Sequence, residues 1–184
     1  LIEGEDRAVL AVRMKFDARG NRWRYQHDKA FRTTGVEDPL GNATVYTYEA
    51  TGALCSPSNR GNLCSVNDPL GHVTSFTYDA SGNVLTRTDA DNRTWTYTYD
   101  SFNNVLTATD PLSRVTTNVY NGSGDLTSVT NSLSQATTYT PNADGTLASI
   151  TDPLGHAASF VYDQYGNITS TTDALSHATT ATYD

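Results

Sequence analysis

Reactive side chains in this sequence are few, and their spacing limits what they can do. Cys55 and Cys64 are the two cysteines of a 184-residue chain. They flank the one irregular stretch of an otherwise periodic sequence. Removing Cys55 to Leu63 restores the period, so the excursion leaves and re-enters near the two thiols. A disulfide pinching its base fits that placement and an oxidising compartment; two small half-buried thiols fit it as well. A zinc site would need two further ligands at the usual spacing. His72, His156 and His177 occupy equivalent places after an Asp. A metal ladder would need them close together, but equivalent residues of an antiparallel meander lie about 10 Å apart. Exposed residues at strand starts are the plainer reading. Asp89-Ala90-Asp91-Asn92 opens like a calcium loop yet lacks the central Gly and distal Glu, and turn chemistry accounts for it. There is no Gly-x-Ser-x-Gly elbow. The departures from regularity (Pro141, Asn118 and the cysteine excursion) bring no nucleophile beside a base. The expectation is therefore no enzyme, with no catalytic residue, cofactor-binding residue or metal ligand.

What positions these residues is a repeat. Units open at Asp17, Asp38, Asp68, Asp89, Asp110, Asn131, Asp152 and Asp173. Every spacing is 21 residues except the second, which is 30. The fourth position is Gly, Ser or Asn. The ninth is usually aromatic (Tyr25, Tyr46, Phe76, Tyr97, Tyr139, Phe160), and the eleventh is usually Tyr (Tyr48, Tyr78, Tyr99, Tyr120, Tyr162, Tyr183). The fifteenth is Gly at Gly52, Gly82, Gly124, Gly145 and Gly166, with an aliphatic residue two places on, as at Leu54 and Val84.

Each unit carries two turns. Asp68-Pro69-Leu70-Gly71 has Asp at i, Pro at i+1 and Gly at i+3, the type I signature; Asp79-Ala80-Ser81-Gly82 repeats it without Pro. A left-handed Gly after such a turn forms a bulge that matches strand twist. Between turns the pattern alternates: Trp95, Tyr97 and Tyr99 point one way and Thr94, Thr96 and Thr98 the other, which describes a half-buried strand. Val84 to Thr88 reads as the shorter return strand. The expected fold is all-β, an antiparallel β-meander of two-strand repeats over residues 17–184, on the order of fifteen strands. A sheet that wide curls or splits, so a curled or spiral sheet with its aromatic face inward is expected. Phe31 stands where a second Gly belongs and predicts an irregular boundary. Pro141 lacks a donor and predicts local fraying. Residues 1–16 fit no unit and read as an N-terminal extension or edge strand.

Composition narrows the function classes. The net charge of −8 argues against nucleic acid, whose phosphates need clustered cations, and against a polybasic membrane surface. No apolar run approaches the ~18 residues of a membrane span. The chain opens LIEGED and stops partway through a unit, and so reads as a piece of a longer protein. The aromatic ladder is either core and cross-strand packing or a sugar-stacking platform. The Asn-x-Ser/Thr sequons at Asn42, Asn92, Asn121 and Asn167 are expected by chance in a chain this rich in Asn and Thr.

Tyr48-Glu49-Ala50-Thr51-Gly52, Tyr78-Asp79-Ala80-Ser81-Gly82 and Tyr162-Asp163-Gln164-Tyr165-Gly166 resemble the Tyr-Asp repeat of the RHS (rearrangement hot spot) family. Its motif reads Gly-x-x-x-x-Tyr-x-Tyr-Asp-x-x-Gly. Gly71 to Gly82 and Gly155 to Gly166 match it with Phe for the first Tyr, and Tyr99-Asp100 keeps the central pair. The resemblance covers residues 17–184. It implies an internal segment of a β-shell that, in bacterial members, encloses a C-terminal toxin domain. The partners implied are the rest of that shell and the toxin, in a secreted or cell-surface bacterial protein. For some surface-anchored members it implies instead adhesion to carbohydrate or a cell-surface protein. The family's autoproteolytic Asp-Pro-x-Gly-Leu signature is not matched, since Asn42, His72 and His156 follow the Asp-Pro-Leu-Gly turns. No catalytic residue is carried over.

Overall fold

A computed structural model of the chain describes residues 11–49, 55 and 61–184. Every regular element among them is a strand: β1 (Ala11–Phe16), β2 (Arg22–His27), β3 (Thr33–Glu37), β4 (Ala43–Tyr48), β5 (Leu63–Asn67), β6 (Val73–Tyr78), β7 (Val84–Thr88), β8 (Thr94–Tyr99), β9 (Val105–Thr109), β10 (Val115–Tyr120), β11 (Leu126–Thr130), β12 (Ala136–Pro141), β13 (Leu147–Thr151), β14 (Ala157–Tyr162), β15 (Ile168–Thr172) and β16 (Ala178–Thr180). They follow one another in chain order in a single antiparallel meander sheet that is not closed. The all-β meander anticipated from the period is thus the fold. The chain divides into two compact units, residues 1–95 and 96–184, each of which is described by itself.

The alternation of the sequence becomes two chemically different faces. In β10 the side chains of Thr116, Asn118 and Tyr120 are half-buried and those of Val115, Thr117 and Val119 exposed; β14 repeats this with Ala158, Phe160 and Tyr162. On the aromatic face, some rings stand opposite aliphatic residues across the ladder, Tyr46 opposite Val66 in the first unit and Tyr139 opposite Ile150 in the second, while Phe76 faces Arg87 and Phe160 faces Thr171. Such cross-strand pairs are the unit of sheet stabilisation. No apolar side chain among the described residues is fully buried. The ladder shields itself, ring against neighbouring strand. The other face mixes exposed valines with hydroxyls, among them Thr77 bonded to Thr86 and Thr98 to Thr107 at 2.6 Å. Small β-branched residues suit a pleated surface that water can reach.

Register shows how each repeat is hinged. In the long-to-short pairings the register slips once, next to the last residue of the long strand. Tyr78 faces Val84 while Thr77 faces Thr86, so Leu85 is an extra residue. The same slip recurs at Tyr120 and Leu126, and at Tyr162 and Ile168. One added residue on one strand is a β-bulge, which increases local twist. In the short-to-long pairings only three residues pair, as in Val115 to Thr117 against Thr107 to Thr109. Beyond them the strands part.

Three expectations are corrected. Phe31 makes no irregular boundary: it takes the left-handed conformation (φ 60°) and closes the same turn as the glycines, donating its N–H to the Asp28 carbonyl at 3.0 Å. Pro141 does not fray its strand: it lies within β12, opposite Leu147. The β11–β12 pairing already ends at Thr138, so the N–H that Pro141 lacks is not needed there. The excursion does not run from Cys55 to Leu63, because the second half of a near-duplication, Gly61-Asn62-Leu63-Cys64 after Gly52-Ala53-Leu54-Cys55, is the one in register with β4. Leu63, not Leu54, faces Tyr48; Gly52 and Leu54 lie outside the described residues. For residues 1–16, the structure pairs β1 with β2 from Ala11 to Phe16, and the first ten residues lie outside the described set.

Phe31 is 77 % exposed, so its ring contributes little packing, while a bulky residue at positive φ is strained. Phe31→Gly is expected to raise stability by about 1 kcal/mol, read as a higher urea midpoint. Gly82 (φ 89°) is the converse: Gly82→Val is expected to cost about 1–2 kcal/mol or more. An unchanged midpoint in both variants would contradict the turn assignment.

Candidate functional site

The densest polar chemistry lies at the hairpin ends, and most of them share one plan; in the turn from Asn142 to Thr146, Asp144 Oδ1 accepts the Thr146 N–H at 3.0 Å instead. Asp79 shows the plan. Its carbonyl accepts the Gly82 N–H at 3.1 Å and its own N–H reaches the Asn83 carbonyl at 2.9 Å. Oδ1 accepts the Asn83 N–H at 2.8 Å, and Oδ2 accepts Asn83 Nδ2 at 2.9 Å. Asp100 holds the Phe102 and Asn104 amides at 2.8 and 2.9 Å, and Asp163 those of Tyr165 and Asn167 at 2.8 and 2.9 Å. The predicted motif residues Tyr78, Asp79, Gly82, Tyr99, Asp100, Tyr162, Asp163 and Gly166 therefore meet at hairpin ends. They form one recurring clamp, with no two copies combining into a shared centre.

The residue four places after the clamp completes it. Asn fills that place at Asn83, Asn104 and Asn167, Arg at Arg32, Arg93 and Arg114, and His at His72, His156 and His177. Each of the three histidines sets Nδ1 2.8–3.0 Å from its own turn Asp. They are components of three separate turns. Asn131 does the clamp's work without charge: Oδ1 accepts the Leu133 and Gln135 amides at 2.9 and 3.0 Å. In Asn121 and Asp125 the amide and carboxylate exchange places. The fourth-residue partner escaped the sequence reading. Its signal was the Asn two places before the return strand's second residue, at Asn62, Asn83, Asn104 and Asn167.

Glu49 is the clamp of the excursion. It is 4 % exposed, and Oε2 accepts the Gly61 N–H at 3.1 Å and the Asn62 N–H at 3.4 Å. Gly61 takes the left-handed φ of 77°. Arg32 lies over the Tyr48 ring at 4.7 Å and donates to the Gly61 carbonyl at 3.1 Å. Cys55 and Cys64 are joined as a disulfide, with Cα atoms 5.5 Å apart. The bridge holds Cys55 beside β5.

The motif tyrosines clip one repeat to the next. Where strands part beyond the short pairing, the Tyr hydroxyl crosses the gap to a carbonyl fifteen residues earlier. Tyr78 donates to the Leu63 carbonyl at 2.7 Å, Tyr120 to Val105 at 3.1 Å, Tyr162 to Leu147 at 3.0 Å and Tyr183 to Ile168 at 3.0 Å. Each acceptor is the first residue of a return strand, beside the bulge. Asn118, in a ring position, donates Nδ2 to the same Val105 carbonyl at 2.9 Å. A Tyr hydroxyl is the side chain that reaches this far while its ring stays in the ladder.

Electrostatics follow from the clamp. In Asp17, Asp38, Asp79, Asp110, Asp152 and Asp163, the side-chain hydrogen bond from the fourth residue holds the carboxyl below its ordinary value of 3.8, with backbone N–H groups adding to it. In Asp68 and Asp173 the backbone N–H of the histidine leads. In Asp28, Asp89 and Asp100 desolvation pushes upward most of any one cause, yet the summed hydrogen bonds outweigh it. Burial raises Tyr48 and Tyr78. Among the described residues, no group of three His, Cys, Asp or Glu side chains is placed to hold a metal ion.

Carboxylates depressed by folding contribute stability that is complete above their unfolded value and lost as pH falls through the folded one. The urea midpoint should therefore be level above pH ~5 and fall steadily toward pH ~2. Asp163→Asn, an arrangement Asn131 already uses, should shallow that fall; a slope unchanged in the variant would refute the clamp's charge role. Tyr162→Phe should cost about 0.5–1.5 kcal/mol with the sheet intact by circular dichroism. A zero cost would remove the clip. Reduction of the Cys55–Cys64 bridge should cost about 3 kcal/mol on the chain-entropy estimate, visible as a lower melting temperature in reductant; equal melting with and without reductant would contradict it.

The RHS repeat family model matches residues 59–94, 78–115, 120–157 and 142–179, together well over half of the chain. No curated protein matches it. Among solved structures, the fold is similar to the Tc holotoxin pore of Photorhabdus luminescens carrying the TccC3 mutation D651A. The TM-score is 0.64 at 15 % identity, over 87 % of this chain and 9 % of that one. A TcdB2–TccC3–Cdc42 crystal structure is similar at TM-score 0.57 and 15 % identity, over 86 % of this chain and 9 % of that one. The chain thus spans about a tenth of the length of these neighbours, and at this identity the likeness is one of fold. Turn clamps, tyrosine clips and the 21-residue period are one structural device, and the chain belongs to the RHS repeat family.

Proposed function

We propose that this segment is wall: it builds part of a β-shell that encloses or presents a toxin domain carried by the same protein. Its partners in that reading are neighbouring stretches of the same shell and the enclosed domain. It performs no reaction itself. The observation that carries the reading is the sameness of the hairpin ends. From Asp17 to Asp173 the opening Asp of a turn accepts from its own turn's backbone, which suits a scaffold of like units. Fold similarity to toxin structures containing TccC3 supports the toxin connection.

In the same reading the protein is bacterial and acts outside the cytoplasm, secreted or at the cell surface. A disulfide closing the excursion is at home in an oxidising compartment. Electron cryo-microscopy of the full-length parent tests the proposal. A hollow shell, with density for a separate domain inside and this repeat in the wall, is the expected result. A solid rod, or a repeat exposed as a free arm, would refute it.

A further inference from the structure

One gap between parting strands holds a piece of the chain itself, and that piece shows what such a gap can take. β5 and β6 pair only from Ser65 to Asn67 against Val73 to Ser75, then part toward Tyr78. Cys55 enters there. Its carbonyl accepts the Tyr78 N–H at 2.8 Å, and its side chain is bridged to Cys64. Cys64 is the extra residue of the β4–β5 bulge, since Tyr48 faces Leu63 and Thr47 faces Ser65. The clip persists beside this occupant, with the Tyr78 hydroxyl on the Leu63 carbonyl.

In the second compact unit the equivalent gap, between β9 and β10, is a crevice of about 270 Å³ lined by Phe102, Asn104, Gly122, Ser123 and Gly124. Pairing ends at Thr117 and Thr107. The Asn121 N–H turns to the Asp125 carbonyl, and successive residues of a strand direct their N–H groups to opposite sides. The Tyr120 N–H therefore faces the gap, as that of Tyr78 faces Cys55. Leu106 is the extra residue of its bulge, with Tyr99 facing Val105 and Thr98 facing Thr107, and so stands where Cys64 stands. Two departures set this gap apart. Asn118 replaces the ring that Phe76 and Phe160 supply at the same place, and it is tied to the Val105 carbonyl. Phe102, at the turn tip, is 76 % exposed.

We propose that this crevice binds an extended peptide of a partner protein, which gives a backbone carbonyl to the Tyr120 N–H and an aliphatic side chain to Leu106 and Phe102. Cys55 is the precedent for the carbonyl. Leucine in the place of Cys64 turns the covalent link into an apolar contact. Main-chain hydrogen bonds to a sheet, with a pocket for a side chain, are a recurrent mode of peptide recognition. The crevice is smaller than the roughly 300–1,000 Å³ of small-molecule pockets and suits a single residue with its peptide bond. The inference does not depend on the shell reading.

The test is a nuclear magnetic resonance titration of the ¹⁵N-labelled 184-residue chain with a synthetic peptide of residues 51–58 carrying Cys55→Leu. Amide shifts at Tyr120, Gly122 and Gly124 are expected, with a Kd on the order of 1 mM, the range for one hydrogen bond and one side chain. The Tyr162 amide, in a repeat that keeps its ring at Phe160, should stay still. Asn118→Phe should abolish the shifts, and Phe102→Ser, at an exposed tip, should weaken binding at least threefold, both with an unchanged circular dichroism spectrum. No shift at about 10 mM peptide, a concentration well above that Kd, would overturn the inference. So would equal movement at Tyr162, binding unaltered in Phe102→Ser, or the same amides responding to cellobiose and not to the peptide.

Discussion

A side-chain oxygen that holds two backbone N–H groups at a hairpin end is the interaction on which this structure depends. Tight turns leave amides that strand pairing cannot reach, and an unpaired amide costs as much as a lost hydrogen bond. Here Asp or Asn accepts from the second and fourth residues onward, as Asp68 does for Leu70 and His72. The fourth residue's side chain then secures the remaining acceptor or donor. The device is local: outside the Glu49 excursion, a turn needs five consecutive residues. That is why it tolerates Asn, Arg, His, Gln or Asp as the closing partner, and why a glutamate can extend it around an excursion.

Local turns alone would give a row of separate hairpins. Short backbone ladders join one hairpin to the next, and the tyrosine clip closes the gap beyond them. A bulge at the start of each return strand leaves a carbonyl beside a gap, and the hydroxyl of the following repeat crosses to it, as from Tyr162 to Leu147. The same ring lies in the half-buried ladder, so one residue supplies both cross-strand packing and a bond between repeats. Stability of this kind is distributed and nearest-neighbour in character, as in other repeat proteins, and no fully buried apolar core is needed among the described residues. The Tyr-Asp pair at the heart of the motif joins the two tasks, the Tyr fastening to the previous repeat and the Asp holding its own turn.

Much of this was legible in the sequence because the relevant signals are short-range. Asp-Pro-Leu-Gly and Tyr-Asp-x-x-Gly specify turns, and alternation of Thr with aromatic residues specifies two faces. The register slip beside Tyr78 was anticipated only as a left-handed Gly and a bulge. The hydroxyl's acceptor, fifteen residues back, was not legible, because pairing geometry decides it. Phe31 and Pro141 misled for the same reason: propensity ranks them as disruptive, but context places Phe31 in a turn that enforces positive φ and Pro141 where pairing has already ended. The excursion misled because Gly52-Ala53-Leu54-Cys55 and Gly61-Asn62-Leu63-Cys64 look alike. Asn62, in the place that Asn83, Asn104 and Asn167 take in their turns, is the difference between the two.

The most direct measure of the clamp is native-state hydrogen exchange at the amides it claims to hold. If the carboxylates of Asp79, Asp100 and Asp163 bind the N–H groups of Asn83, Asn104 and Asn167, those three amides should exchange as slowly as amides in the middle of neighbouring strands. Free exchange at these three positions, with the strand amides still protected, would show that the turns are held by something else and would contradict the account.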